Sequence, residues 1–445
     1  MTIERQPVRY AVIALIVVAC AMRFVGLEMA PPGFFFDEAM GAAHSVCYAQ
    51  TGRDVFGHIG LFSHVDFNNT QSAPFLMGGA LWTKVFGIGV AGFRSFVAFV
   101  GVVAVLGVYR LVRVVSADAE MAVWATLFAA CLPWAFLFSR ISWDAPLGVA
   151  LLVWALALVY TPNNKYWPLA GAAVLAFASY TYVPMRAQAA LMLVLLPRIA
   201  VREKAKLIGV FAVLNLPLLA YSMDPAFTAR MKMLALTSND PLNPYRDSNV
   251  IGLTRAFVEN FAAHFSPRFL LLSGDANVRH SIQTFGMLDA VTFTGSLVAL
   301  AFLVRMIVRR AVVETREATV LTLALLGVVS AVTPAALTWS AIPHGVRALG
   351  AWPFFAVLAA HGWTRVFVHV PRFRFVVAGA SAVLFGLYLR SWYIDYPVLA
   401  RSWFDVEQVR QIRETRTFPD RYGPVTRAYY RMTVLGERCE DVRKG

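Results

Sequence analysis

Five short polar stretches hold the residues whose types could do chemistry. The first is Pro31-Pro32-Gly33-Phe34-Phe35-Phe36-Asp37-Glu38-Ala39, two adjacent carboxylates behind three phenylalanines. A carboxylate at the lip of a membrane is costly unless it is solvated or used. Asp37 is therefore read as a general base. The alternative is a plain N-cap, with Glu38 opening a helix to about Gln50 that stops at Gly52. Adjacent carboxylates diverge on a helix, so the two do not form a dyad. Glu38 would instead bind a cation or a substrate hydroxyl. His44 lies two turns along, on the same face as Asp37.

The second stretch runs Ser139-Arg140-Ile141-Ser142-Trp143-Asp144-Ala145-Pro146. Arg140 suits a phosphate, and Asp144 is a second acidic group near an acceptor. Its plainer reading is a capped turn with a snorkelling arginine. The third, Ser179 to Arg186, sets Tyr180 and Tyr182 beside Arg186, either as an aromatic belt or as a phosphate or sugar contact. The fourth contains His264 and then Ser273-Gly274-Asp275-Ala276-Asn277-Val278-Arg279-His280. Arg279 and His280 suit an oxyanion, while Asp275 and Asn277 suit sugar hydroxyls; the alternative is an ordinary polar turn. The fifth is Pro343-His344-Gly345-Val346-Arg347, where His344 and Arg347 share a face if helical and suit an anionic headgroup. Its alternative is an interfacial arginine. His44, His264 and His280 with a carboxylate lack metal-ligand spacing, so no metal ligand is assigned, although a divalent cation stays possible.

These stretches must be positioned by membrane helices. The 445 residues are 58% hydrophobic and 15% charged, well off the balance of a soluble domain. The apolar residues fall in long runs, as in a polytopic all-α membrane protein. The net charge of +14 does not point to nucleic acid, because the basic residues sit in short loops between those runs. No phosphate-binding glycine loop or dinucleotide fingerprint appears. No cysteine pair has metal-ligand spacing; Cys47 and Cys439 are the pair that could share an oxidising compartment as a disulfide. The run Tyr10 to Cys20 lacks a convincing cleavage site and reads as a retained helix.

About eleven spans of roughly 20 residues are expected. They lie near 8–26, 90–109, 120–138, 145–161, 166–183, 186–200, 206–222, 285–304, 318–336, 346–363 and 374–390. Residues 73–88 read better as a helix lying in the interface. The positive-inside rule places Arg110, Arg113, Lys165, Arg202, Lys204, Lys206, Arg305, Arg309, Arg310, Arg365, Arg372 and Arg374 on the cytoplasmic side. The loops at 27–89 and 223–284 then face outward, and so do all five polar stretches. Residues 1–390 form the membrane domain. Residues 391–445 form a small helical appendage on the outer side, too short to be independent.

The ordered set of motifs resembles the GT-C glycosyltransferases, in particular the bacterial branch of protein O-mannosyltransferases and the lipid A aminoarabinose transferase. The resemblance covers about residues 8–390. It rests on a first span, the Pro-Pro-Gly-Phe-Phe-Phe-Asp37-Glu38-Ala run, and a helix ending Thr51-Gly52-Arg53-Asp54. The amphipathic Pro74–Gly87 stretch, Arg94, Ser139-Arg140, Tyr180-Thr181-Tyr182, the Gly274–His280 run and Pro343–Arg347 complete it. It implies a GT-C fold with interfacial helices in the first outer loop, in a bacterial inner membrane, with the site facing the periplasm. It also implies a polyprenyl-phosphate-linked sugar donor and a lipid, glycan or protein acceptor. Asp37 would be the base, Asp144 a second acidic residue of the catalytic site, and inversion the stereochemical outcome. The aminoarabinose transferase has a lysine before the proline of its interfacial helix; here Ala73 precedes Pro74, so phosphate binding falls to Arg140, Arg186, Arg279 or Arg347.

Two other classes compete. An O-antigen ligase or polysaccharide polymerase would use a pyrophosphate-linked donor, but would rest on arginines and a histidine without an acidic pair at the first span. A transporter would favour paired broken helices in two similar halves. Isotope transfer from a labelled lipid donor separates enzyme from transporter.

Overall fold

Proline and glycine set where the long apolar runs become helices. The computed structural model describes residues 5–59, 63–66, 69–309, 315–420 and 422–444. Helix α1 (Arg5–Met22) is followed by the first polar loop, which carries α2 (Phe36–Thr51) and α3 (Ala73–Phe86). Between α2 and α3 lies a hairpin of two short antiparallel strands, β1 (Ser63–Asp66) and β2 (Asn69–Ser72), with Ser63 opposite Ser72. The helical bundle follows as α4 (Val90–Ser116), α5 (Ala119–Cys131), α6 (Pro133–Phe138), α7 (Ala145–Val159), α8 (Trp167–Ser179), α9 (Val183–Leu195), α10 (Val201–Leu214) and α11 (Leu216–Tyr221). The second long loop holds α12 (Pro225–Leu234) and α13 (Val250–Ala263). Next come α14 (Ala290–Val308), α15 (Thr315–Ala336), α16 (Trp352–His369) and α17 (Phe373–Arg390). The tail adds α18 (Tyr396–Leu399), α19 (Val406–Thr415), α20 (Pro424–Val434) and α21 (Cys439–Lys444). The helical expectation holds; among the described residues the extended pairing is limited to this hairpin and an isolated bridge between Ala235 and Thr338.

The chain is a multi-pass membrane protein. Among the described residues, four helical stretches are long and apolar enough on their own to cross a membrane: Val90–Ser116, Ala290–Val308, Arg316–Ala336 and Phe373–Leu399, the last running from α17 through a π-helical turn at Ser391–Asp395 into α18. Shorter apolar helices, including Pro7–Met22 and Ala119–Cys131, pack among them. Two expected spans are interrupted. The 120–138 run breaks between α5 and α6, where Pro133 holds Leu132 extended at φ −64°, ψ 126°. The 206–222 run breaks between α10 and α11, with Pro217 in the first turn of α11. The 346–363 run starts late, at Trp352, because residues 343–348 form an irregular turn.

The bundle is packed by small residues at close crossings. A side chain at Gly362 would lie 2.0 Å from the Gly295 carbonyl, so α14 and α16 touch backbone to backbone. Helix α3 lies against α2 and α4, with Gly79 facing Ser45 and Gly78 facing Phe96. The tail does not hang free. Val409, Ile412, Tyr429, Tyr430 and Met432 share a buried apolar cluster with Ala39, Met40, Ala43 and Val46 of α2. Cys47 and Cys439 form a disulfide with Cα atoms 5.2 Å apart, and the Cys439 amide donates to Gln50 Oε1 at 2.8 Å.

Candidate functional site

Two buried arginines build the loop that presents Asp37. Arg94, on α4, gives two N–H groups to Glu38, Nε to Oε1 at 2.9 Å and Nη2 to Oε2 at 2.7 Å. Its other N–H groups reach the carbonyls of Leu27, Pro31 and Gly33. Both side chains are fully buried. Glu38 Oε1 also accepts the Ser142 amide at 2.9 Å, tying the first polar stretch to the second. Arg140 spends all its N–H groups on the carbonyls of Met22, Arg23, Val25, Gly26 and Ala30. Glu38 and Arg140 are therefore structural ties, not the hydroxyl and phosphate ligands expected of them. Burial without a partner would be prohibitive for either charge, and each has been satisfied within the fold. His44 is also displaced from the site. It is buried, accepts the Val55 amide at 3.4 Å, and packs on Phe56 and Tyr429.

Asp37 stands in the first turn of α2, with Phe35 rather than Asp37 at the cap position. Among the described residues its carboxylate accepts no side-chain hydrogen bond. It is half-buried and faces the charges of Arg279, Arg230, Glu38 and His280. Burial raises its pKa above the ordinary carboxylate range, and Arg279 and Arg230 pull it part of the way back. Asp144 does not cap α7; its side chain makes no cap hydrogen bond. Burial pushes it up to about 7, against the pull of nearby amides and Arg186, with Asp37 pushing further up.

Aromatic rings knit the stretches together. Trp143 meets Phe35 edge-on at 5.5 Å and His280 edge-on at 5.4 Å. The Arg279 guanidinium lies over the Phe35 ring, 4.4 Å from its centroid. Asn277 shapes the turn, its Oδ1 accepting the Arg279 amide at 2.9 Å, so it is a turn former before it is a sugar contact. The fifth stretch joins through Gly345, whose amide donates to Asp275 Oδ2 at 2.7 Å. The third stretch closes another side: Tyr182 shares its electrostatic surroundings with Arg347, Asp144, Arg230 and Asp37. Arg186 lies over Phe227, 4.6 Å from its centroid, and Arg347 donates to the Thr338 hydroxyl at 2.8 Å. Asp37, Asp144, Tyr182, Arg186, Asp275, Arg279, His280, His344 and Arg347 thus gather at one end of the bundle, and His44 does not join them. Sequence reasoning missed Arg230 on α12, whose charge reaches Asp37, Tyr182 and Arg347. Its one signal was Arg230-Met231-Lys232, a basic pair in a loop away from the basic side.

At the same end, Asp275, His280 and His344 bring one carboxylate oxygen and two imidazole nitrogens within 4.8 Å of one another. His280 Nδ1 is 2.8 Å from Asp275 Oδ2, and the two imidazole rings are 4.8 Å apart. This donor set is of the kind a divalent transition ion takes. The metal grouping considered from the sequence changes accordingly: His44 lies elsewhere, and His264 holds the His344 amide at 3.1 Å through Nε2. Burial, and then the Arg347 charge beside it, hold the His344 imidazole well below its ordinary pKa.

The fold was compared with known proteins. No protein-family model matches the sequence, and no curated protein matches it. Solved structures do match. ArnT from Cupriavidus metallidurans bound to undecaprenyl phosphate superposes with a TM-score of 0.57 at 14% identity, over 97% of this chain and 87% of that one. The same protein in the apo state gives 0.56 at 13% identity, over 94% and 84%. The chain has the GT-C fold. AglB, the archaeal oligosaccharyltransferase of Archaeoglobus fulgidus in complex with an inhibitory peptide and a dolichol-phosphate, gives 0.50 at 14% identity. That match covers 92% of this chain but 58% of AglB. The first polar loop carries Asp37 on α2, and the tail packs back onto that helix.

Proposed function

We propose that this chain is an integral-membrane glycosyltransferase. It moves one sugar from a polyprenyl-phosphate-linked donor to an acceptor hydroxyl at the outer face of a bacterial inner membrane, with inversion. The observation that carries this reading is the setting of Asp37: a half-buried carboxylate, without a side-chain hydrogen bond among the described residues, facing Arg279, Arg230 and His280 at one end of a GT-C fold.

The chemistry follows from those groups. Asp37 takes the proton of the acceptor hydroxyl, and that oxygen forms a bond to the anomeric carbon. The bond from that carbon to the phosphate oxygen breaks on the opposite face, and the electron pair leaves with the polyprenyl phosphate. Arg279 and Arg230, with Arg347 and Arg186 at the rim, stabilise the charge that develops on the phosphate. A raised pKa suits Asp37 as a base, because a carboxylate poised nearer neutrality accepts a proton more readily. Asp144 orients the acceptor beside it. Tyr182 faces the sugar, and Asn277 shapes the turn that brings Arg279 in. The Asp275, His280 and His344 group would hold any divalent cation.

The test uses purified protein in nanodiscs with a panel of polyprenyl-phosphate sugars and a membrane lipid extract. A product one sugar heavier, seen by mass spectrometry and absent with Asp37→Asn, supports the proposal. A folded protein that gives no product with any donor counts against it.

A further inference from the structure

The tail enters the site through Arg279, a group the proposed function already uses. Arg279 Nε donates to the Trp403 carbonyl at 2.8 Å, and its guanidinium is 5.4 Å from the centroid of the Trp403 ring. With Phe35 at 4.4 Å, the guanidinium is held between a ring of the first loop and a ring of the tail. Among the described residues its terminal nitrogens have no hydrogen-bond partner, and its charge reaches Asp37. The neighbouring residue is tied in the same way, since the Val278 carbonyl accepts the Tyr396 hydroxyl at 2.9 Å. Phe404 is fully buried and meets Phe35 edge-on at 5.8 Å. Gly33 has φ +63° and faces the Phe404 carbonyl so closely that a side chain there would lie 2.1 Å from it. Tyr430 joins the Phe34 carbonyl to Asp405, and the Cys47–Cys439 disulfide fastens the end of the tail to α2.

We propose that the C-terminal tail is a wall of the donor site, and that Trp403 is a positioning residue that aims the Arg279 guanidinium at the phosphate of the lipid donor. This rests on the glycosyltransferase reading and deepens it. The tail is neither an accessory module nor a cap remote from the chemistry. Trp403 supplies a face for the cation and a carbonyl for Nε, which leaves the two terminal NH₂ groups to form the fork that a phosphate accepts.

The test measures binding of undecaprenyl phosphate to the full-length protein in nanodiscs, together with transfer kinetics for the best donor. Trp403→Ala removes the ring and is expected to weaken binding about three- to tenfold, the worth of one partly desolvated cation–π contact. The donor KM should rise by the same factor with kcat little changed. Trp403→Phe should restore most of the affinity, because it keeps a ring. Arg279→Ala should weaken binding at least as much as Trp403→Ala, and adding Trp403→Ala to it should change nothing further. An affinity unmoved by Trp403→Ala but weakened by Arg279→Ala would overturn the role of the tail and leave the function standing. A loss of kcat or of folded protein at unchanged affinity would also overturn it. Wild-type protein that binds no undecaprenyl phosphate would overturn both readings together.

Discussion

Replacing Glu38 by glutamine tests how the first loop is built. Glu38 and Arg94 are fully buried and joined by two hydrogen bonds of 2.9 and 2.7 Å. Glutamine keeps the shape and one acceptor oxygen but removes the negative charge. The Arg94 cation is then buried without a counter-charge, facing that one oxygen and the carbonyls of Leu27, Pro31 and Gly33. Breaking a buried pair from one side costs about 3–5 kcal/mol. Arg94→Gln should cost at least as much, because it also abandons those carbonyls. The double variant carries no unpaired charge, so its loss should fall short of the sum by about 2 kcal/mol or more. Unfolding by sodium dodecyl sulfate in mixed micelles measures all three. The folded fraction of Glu38→Gln should still bind donor lipid, since Glu38 is spent on Arg94 inside the fold. A Glu38→Gln protein within about 0.5 kcal/mol of wild type, the ordinary range for an inconsequential surface change, would refute the reasoning.

Asp144 and the disulfide give two more tests. The Asp144 carboxyl is pushed from 3.8 to about 7 in the folded chain, so the folded state holds its proton more tightly than the unfolded state. Stability is therefore lost as pH rises from about 4 to about 7, by at most about 4 kcal/mol before a discount for partial exposure. Asp144→Asn should stabilise the protein at pH 8 by about 1–3 kcal/mol and much less at pH 5, while lowering transfer; equal effects at both pH values would contradict this. The Cys47–Cys439 bond closes most of the chain, and changing both cysteines to serine should cost about 2–4 kcal/mol. Alkylation with and without reductant, read by mass spectrometry, checks that these two thiols are protected until reduced.

The apolar runs and the basic loops between them were enough to read a helical membrane fold from the sequence. The motif order pointed to a GT-C fold, and the matched solved structures share the fold. The helix break at Pro133 went unread because its run stays apolar through the proline, and the one at Pro217 because only Asn215 interrupts the apolar run there. The role of Glu38 was hidden for another reason. Its partner is 56 residues away, and nothing local distinguishes a carboxylate that meets a ligand from one that meets a buried arginine. Arg140 is the same case, with a full set of carbonyl partners about 110 residues before it. The tail was expected as an appendage; that it closes on α2 and Arg279 depends on contacts between the two ends of the chain, which periodicity does not encode. Arg230 lay in a loop with no motif, and only the folded chain brings it to Asp37.

The measurement that bears most directly on the central claim compares wild type and Asp37→Asn in single-turnover sugar transfer, with undecaprenyl phosphate affinity measured on the same preparations. The variant keeps the loop, which Glu38 and Arg94 hold, and it keeps Arg279. Donor-lipid affinity should stay within about twofold, and transfer should fall by at least about 100-fold, the lower end of what a general base contributes. Transfer near the wild-type rate in Asp37→Asn would contradict the assignment of Asp37 as the base.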